Sequence, residues 1–97
     1  MRVVIVEPFK PPYERDIEDE LEEFQKIVDG TITVTHDVFL PGCAIVANDD
    51  GMELNLDLNR FVNSSMIFGT FIVCGEDGED FCSLTDEQVK EALEVYE

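Results

Sequence analysis

Gly69-Thr70-Phe71-Ile72-Val73-Cys74-Gly75, followed by Glu79-Asp80-Phe81-Cys82-Ser83-Leu84-Thr85-Asp86-Glu87-Gln88, is the stretch that decides the fold class. Its first half belongs to a run from Ile67 to Cys74 with no polar face, the pattern of a strand covered on both sides. Gly69 and Thr70 interrupt that run, and a glycine in a central strand marks a bulge or the close approach of a helix. Gly75-Glu76-Asp77-Gly78 then reads as a tight acidic turn. Beyond it Thr85 and Gln88 stand at the N-cap and N3 positions of a capping box, with Leu84 placed to staple against Val89. Val89, Ala92, Leu93 and Tyr96 supply the buried stripe of the helix so started.

Upstream, Arg2-Val3-Val4-Ile5-Val6 is also apolar on both faces and predicts a central strand. Pro8, Pro11 and Pro12 exclude regular structure between Glu7 and Tyr13, because each fixes φ and removes a donor. Asp16 is the expected N-cap of a helix whose buried side is Ile17, Leu21, Phe24 and Val28, with Ile27 beside them and Gly30 as the stop. Thr31 to Thr35 alternates, Ile32 and Val34 against three threonines, and predicts an outer strand with one wet face. Cys43 to Ala47 is a further apolar strand ended by the turn Asn48-Asp49-Asp50-Gly51. Met52 to Leu58 is expected as a short return strand, and Asn59 to Ser65 as irregular or a single helical turn. The resulting expectation is one small α+β domain over residues 1–97: a mixed four- to five-stranded sheet with two helices packed against it.

A chain of 97 residues buries roughly 60–65% of its unfolded surface, enough for one thin core. Apolar residues make up 44% of it, so disorder is not expected. No apolar run approaches the roughly 18 residues of a membrane span. The start shows no secretory pattern, and Cys43, Cys74 and Cys82 form no C-x-x-C, so the expected site of action is the cytoplasm, with reduced thiols acting as small hydrophobes. Twenty-three acidic against six basic residues give a formal charge of −17. That surface repels phosphate backbones and anionic lipid, which disfavours direct nucleic-acid and membrane binding, and it attracts basic proteins.

No constellation for chemistry emerges from the residue types. His36 is the single histidine and stands at a strand end, so a hydrolytic triad cannot be assembled. Cys74 and Cys82 flank an acidic loop, which opposes thiolate formation. The acidic loops at Asn48–Gly51 and Glu76–Asp80 lack the spacing of a calcium hand, and no glycine-rich phosphate cradle occurs. No catalytic residue, cofactor or metal ligand is therefore assigned. Seven of the ten positions from Glu14 to Glu23 are acidic, read either as a solvated helix face or as a docking surface for a basic partner. Asn48, Gly51, Asn55, Asn59 and Arg60 form the remaining polar cluster, read as turn builders or, through Arg60, as a specific carboxylate or backbone contact.

Taken together, Val3-Val4-Ile5-Val6-Glu7-Pro8, Leu21 to Gly30, Ala44 to Asn48 with Gly51, Leu58-Asn59-Arg60, Gly69-Thr70-Phe71 and Glu79 to Thr85 give the chain a family likeness. It resembles the domain-of-unknown-function family thirty-eight forty-six over nearly its whole length. The resemblance implies a small acidic protein of anaerobic Gram-positive bacteria, their phages and mobile elements, beside antirestriction or conjugation functions, with no catalytic residues assigned. Relatives often carry a longer acidic insertion between Asn-Arg and Gly-Thr, where this chain has Phe61 to Phe68. The expected function is a noncatalytic accessory protein that binds another protein through its acidic surface, with Glu18, Asp19, Glu22, Glu23, Asn59 and Arg60 as candidate contacts. The alternative is a mimic of the DNA phosphate array that inhibits a DNA-binding protein. The threonine strand, as an edge, gives an expected state of monomer or weak dimer.

Overall fold

Val3 to Val6 need cover on both sides, and the rest of the chain is arranged to give it. In the computed structural model, which describes residues 1–97, the order is β1 (Arg2–Val6), β2 (Tyr13–Asp16), α1 (Leu21–Val28), β3 (Ile32–His36), β4 (Cys43–Asn48), β5 (Leu58–Val62), β6 (Ser65–Phe68), β7 (Phe71–Asp77), β8 (Asp80–Cys82) and α2 (Asp86–Val95). The main sheet runs β2-β1-β7-β4-β3, with β8 folded back on β7, and β5-β6 form a separate two-stranded ribbon. The α+β class holds, with more strands than the four or five expected, and each adjacent pair is antiparallel.

The register opposes Val4 to Val73 and Ile5 to Ile72, and Ile45 and Val46 to the same two residues from the other side. The two-residue period then sorts the core. Val4, Val6, Ile45, Phe71 and Val73 point to a first face, closed by Leu84, Val89, Ala92 and Tyr96 of α2 and its entry, by Leu40, and by Val62 of the ribbon. Val3, Ile5, Val46, Ile72 and Cys74 point to a second face, closed by Phe24 and Val28 of α1 and by Ile17. An edge-to-face pair anchors each side: Phe71–Tyr96 at 5.3 Å and Phe24–Phe81 at 5.2 Å between centroids. The capping box forms as read, with Gln88 N–H donating to Thr85 Oγ1 (3.1 Å) and Thr85 N–H to Gln88 Oε1 (2.9 Å).

Five local expectations are corrected. Asp16 is not a helix cap: it ends β2, where its carboxylate accepts from the Met1 amino group at 2.8 Å, and Ile17 N–H donates to Met1 O at 2.8 Å. Those contacts hold residues 13 to 17 against β1, so the helix starts later, at Leu21, behind Glu20, which makes no side-chain cap. Ile17 is still buried, but Leu21 is 57% exposed because the helix turns Phe24 and Val28 inward. Met52 to Leu58 is a set of turns instead of a strand, whereas Leu58–Val62 and Ser65–Phe68 form a hairpin through Asn63 and Ser64, whose φ values of 53° and 63° fit the mirror-image turn that matches strand twist. The run from Ile67 to Cys74 is two strands of different sheets. Gly69, at φ 82°, makes the break, and a Cβ there would lie 2.7 Å from Leu56 Cδ1.

Candidate functional site

The acidic candidates and the Asn-Arg candidates lie on opposite faces of the sheet. Glu18, Asp19 and Glu22 are exposed at and just before the start of α1, and Glu23 beside them is half-buried with Arg15 Nη2 at 3.6 Å. Five carboxylates have a cationic group within 4.0 Å, those of Glu7, Glu14, Asp16, Glu23 and Asp86, and Glu76 faces the His36 ring; Glu18, Asp19 and Glu22 have neither.

Asn59 and Arg60 spend their donors inside the fold, on the first face. Asn59 Nδ2 donates to Val6 O and Gly69 O, both at 2.8 Å, tying the ribbon to the ends of two other segments. Arg60 gives Nε (3.2 Å) and Nη2 (2.8 Å) to Tyr96 O, Nη2 also to Lys10 O (3.0 Å), and Nη1 to Asn59 Oδ1 (2.8 Å). A guanidinium on the last carbonyl of α2 meets the negative end of the helix dipole, so this is a C-terminal cap supplied from another element. Asn48 does the same for α1: its Nδ2 donates to Val28 O (3.0 Å) and Asp29 O (3.1 Å), while its Oδ1 accepts from Asp50 N–H (2.8 Å). A Cβ on Gly30 would sit 2.6 Å from that Nδ2, so glycine is needed there for the close approach of Asn48. Asn55, at φ 61°, serves a turn. The polar cluster of the sequence is thus dispersed into separate structural tasks.

One buried polar pair went unread. Tyr96 Oη donates to Asp37 Oδ2 at 2.5 Å, and Asp37 Oδ1 accepts from Phe39 N–H at 2.8 Å. Burial, then the Asp37 carboxylate, pushes the Tyr96 hydroxyl well above the usual tyrosine range. Burial likewise raises Cys43 to about 11 and Cys74 to about 12. Cys82, expected to be apolar filling, is exposed on β8. His36 is exposed at the end of β3, its Nδ1 2.8 and 2.9 Å from the two Glu76 oxygens. Arg60 and Asp37 meet at opposite ends of Tyr96, on its carbonyl and its hydroxyl, while His36 pairs with Glu76, and none of the three lines the cavity beside the ribbon. No three His, Cys, Asp or Glu side chains converge on a point that could hold a metal ion, and no helix is long and apolar enough to cross a membrane.

That cavity is an open groove of about 500 Å³ on the first face. Thr33, Thr35, Ile45 and Ala47 make its floor, the ribbon with Val62, Met66 and Ile67 one wall, and the Asp49–Glu53 turn the other. Sequence reasoning missed it because the ribbon was taken as irregular. The available signal was Phe61, Met66 and Met52, large apolar residues in a segment with no core periodicity, all of them exposed in the fold.

The chain belongs to the family described as Domain of unknown function (DUF3846), whose model matches residues 1–97. No curated protein and no solved structure matches it.

Proposed function

Starting from a family that assigns no chemistry, we propose that this protein is a noncatalytic accessory module that binds another, basic protein through its acidic surface. The observation that supports the reading most directly is unmatched charge: Glu18, Asp19 and Glu22 face solvent side by side with no cation within 4.0 Å, on a chain of net charge −17. Such a patch repels itself, steers cationic surfaces toward it, and gains when one neutralises it. Asn59 and Arg60 are left out of this surface, since their donors are already bonded within the fold. The same reading has the protein working in the cytoplasm, a compartment that keeps Cys43, Cys74 and Cys82 as thiols.

The test is affinity capture from the native host at low and high salt, with the wild-type chain and with Glu18→Lys, Asp19→Lys and Glu22→Lys combined. Basic proteins recovered at low salt, released by high salt and lost with the triple variant are the expected result. A partner that survives both high salt and charge reversal would replace this reading with an apolar interface.

The long dimension of the molecule, 33 Å, supports a second reading as a DNA mimic, because one duplex turn is about 34 Å. The patch covers much less of that length: it runs only from Glu18 to Glu22, at the start of an eight-residue helix about 12 Å long. A mimic should relieve restriction of incoming DNA in cells, and a docking module should leave it unchanged.

A further inference from the structure

The two outer strands of the main sheet are finished very differently. β2 is Tyr13-Glu14-Arg15-Asp16, preceded by Pro11 and Pro12, and Glu14, Arg15 and Asp16 each take part in an ion pair. Charge and proline are the ordinary means by which a sheet edge is closed to another chain. β3 is Ile32-Thr33-Val34-Thr35-His36, with no lysine, proline or bulge, and Val34 is 48% exposed.

The hydrogen bonds at the two ends of the β3–β4 ladder fix which backbone groups β3 leaves unused. Asp49 N–H donates to Thr31 O (2.8 Å) and Asp37 N–H to Cys43 O (3.0 Å), in the same register as the strand pairs. Antiparallel bonding repeats every two residues, so Thr33 and Thr35 bond to β4 while Ile32, Val34 and His36 turn their backbone outward. The His36 carbonyl is closed off by Asn63 Nδ2 at 2.7 Å. What remains is an edge of three donors, the N–H groups of Ile32, Val34 and His36, and two acceptors, the carbonyls of Ile32 and Val34. Thr33 and Thr35 of the same strand form the floor of the groove, so a chain laid along this edge has a hollow of about 500 Å³ beside it.

Charge identifies what would lie there. No lysine or arginine occurs between Lys26 and Arg60, a span that includes β3, β4 and the turn walling the groove, and Asp49 and Glu53 line the groove itself. A second copy of this chain would bring another −17 to the same place. We propose that the open edge of β3 receives an extended, lysine- or arginine-bearing segment of the partner protein as an added strand, with alternate side chains entering the groove. This rests on the basic-partner reading above and adds where and in what conformation the partner binds. In strand addition, main-chain bonds provide affinity and the pockets for alternate side chains provide selection.

The test uses the full chain and two probes: a short synthetic peptide alternating lysine with valine and threonine, and the same peptide N-methylated at every second residue. Methylation preserves the charge and removes the donors along one edge. Amide exchange by NMR is the readout. With the unmodified peptide, exchange at Ile32, Val34 and His36 should slow by about tenfold or more, while Thr33 and Thr35, already bonded, stay as they were. The methylated peptide should produce no such slowing. Val34→Pro, which removes an outward donor and no ladder bond, should fold and lose the response. Equal binding of both peptides, with changes confined to α1, would overturn strand addition and leave the acidic docking surface standing. Failure of both peptides to bind at low salt would overturn strand addition and the acidic docking surface together. Protection at the three amides that grows with protein concentration alone would identify a second copy as the occupant, and the cationic segment would be wrong.

Discussion

The two faces of the sheet are covered by different physics. The second face is closed by apolar contact: Phe24, Val28 and Ile17 lie on Val3, Ile5, Val46 and Ile72, and the carboxylates of α1 point away. The first face adds polar fasteners. Asp37 holds the Tyr96 hydroxyl, Arg60 holds the carbonyls of Tyr96, which caps α2, and of Lys10, and Asn59 holds Val6 and Gly69. A single helix can cover a sheet in many rotations at similar cost, and shape complementarity selects among them. Three separate pieces (helix, ribbon and proline loop) have more ways to misassemble, and directional bonds between them remove those alternatives. The fastened side is also the one that keeps a groove open, because a ribbon held at its base does not need to collapse onto β3.

The largest effect should come from breaking the apolar side. Phe24→Ala removes a ring that is 2% exposed and packs on Phe81, and should cost about 3–5 kcal/mol in urea unfolding. That cost should be the same at pH 7 and pH 9. A loss under about 1 kcal/mol would mean that α1 is held by something other than packing.

The fastened side should respond to smaller, polar changes. Tyr96→Phe keeps the ring against Phe71 but leaves a buried Asp37 oxygen without its donor, at a cost of about 2–3 kcal/mol. Asp37→Ala strands the hydroxyl instead. The double variant should lose clearly less than the sum of the singles, since the second change removes the group that the first left unpaired. Additive losses would show that the pair is not coupled.

The same pair gives the molecule an alkaline limit. Tyr96, Cys43 and Cys74 have folded pKa values raised by burial, so between the unfolded and folded values the native state holds more protons than the unfolded chain. Stability is therefore complete below about pH 9, where the thiols begin to ionise in the unfolded chain, and falls as pH rises toward 11 and beyond. The urea midpoint against pH should show this, with a shallower fall in Tyr96→Phe. A rise above pH 9 would reverse the sign and defeat the assignment.

How much of this was legible divides along the same line. Elements set by local pattern were read correctly: the two-sided runs of β1 and β4, the outer place of β3, though its Val34 is exposed where the alternation predicts a buried face, and the Thr85–Gln88 capping box. Elements set by distant partners were not. β2 has no apolar face at all and exists because β1 offers it a ladder. The ribbon turns on Asn63-Ser64 without the glycine that usually announces such a hairpin. Asp16 looked like a helix cap because the sequence did not reveal that the Met1 amino group competes for it. Arg60 was singled out as needing a specific partner, and it has several, but they are backbone carbonyls from segments 36 and 50 residues away in the chain. The acidic candidates were placed on a real exposed surface, whereas the groove and the Asp37–Tyr96 pair depend on the ribbon and on α2 reaching the same face.

Gly30→Ala probes the one polar device on the apolar side. The new Cβ would meet Asn48 Nδ2 at 2.6 Å, and that amide is committed to Val28 O and Asp29 O. Displacing it should uncap α1 and cost about 1–2 kcal/mol. Faster amide exchange at the end of α1, with the ribbon unchanged, would confine the damage to that face. An unchanged urea midpoint would show that Asn48 is dispensable.

The smallest effect expected is that of salt, and it bears on the charge that both faces share. The Debye length is about 10 Å at 0.1 M, well under the 33 Å length of the molecule, so salt removes most of the repulsion between carboxylates spread over the surface and screens near neighbours such as Glu18, Asp19 and Glu22 only in part. Salt also weakens the few ion pairs that stabilise the fold, among them Arg2–Asp86 at 2.6 Å and Arg15–Glu23 at 3.6 Å. With a net charge of −17 the repulsion should dominate, and the melting temperature should rise modestly with sodium chloride. Neutralising the patch, with Glu18→Gln, Asp19→Asn and Glu22→Gln together, should raise the low-salt melting temperature and reduce its response to salt. A melting temperature indifferent to salt in both proteins would mean that Glu18, Asp19 and Glu22 do not repel one another appreciably, and would remove the electrostatic reason for a basic partner to bind there.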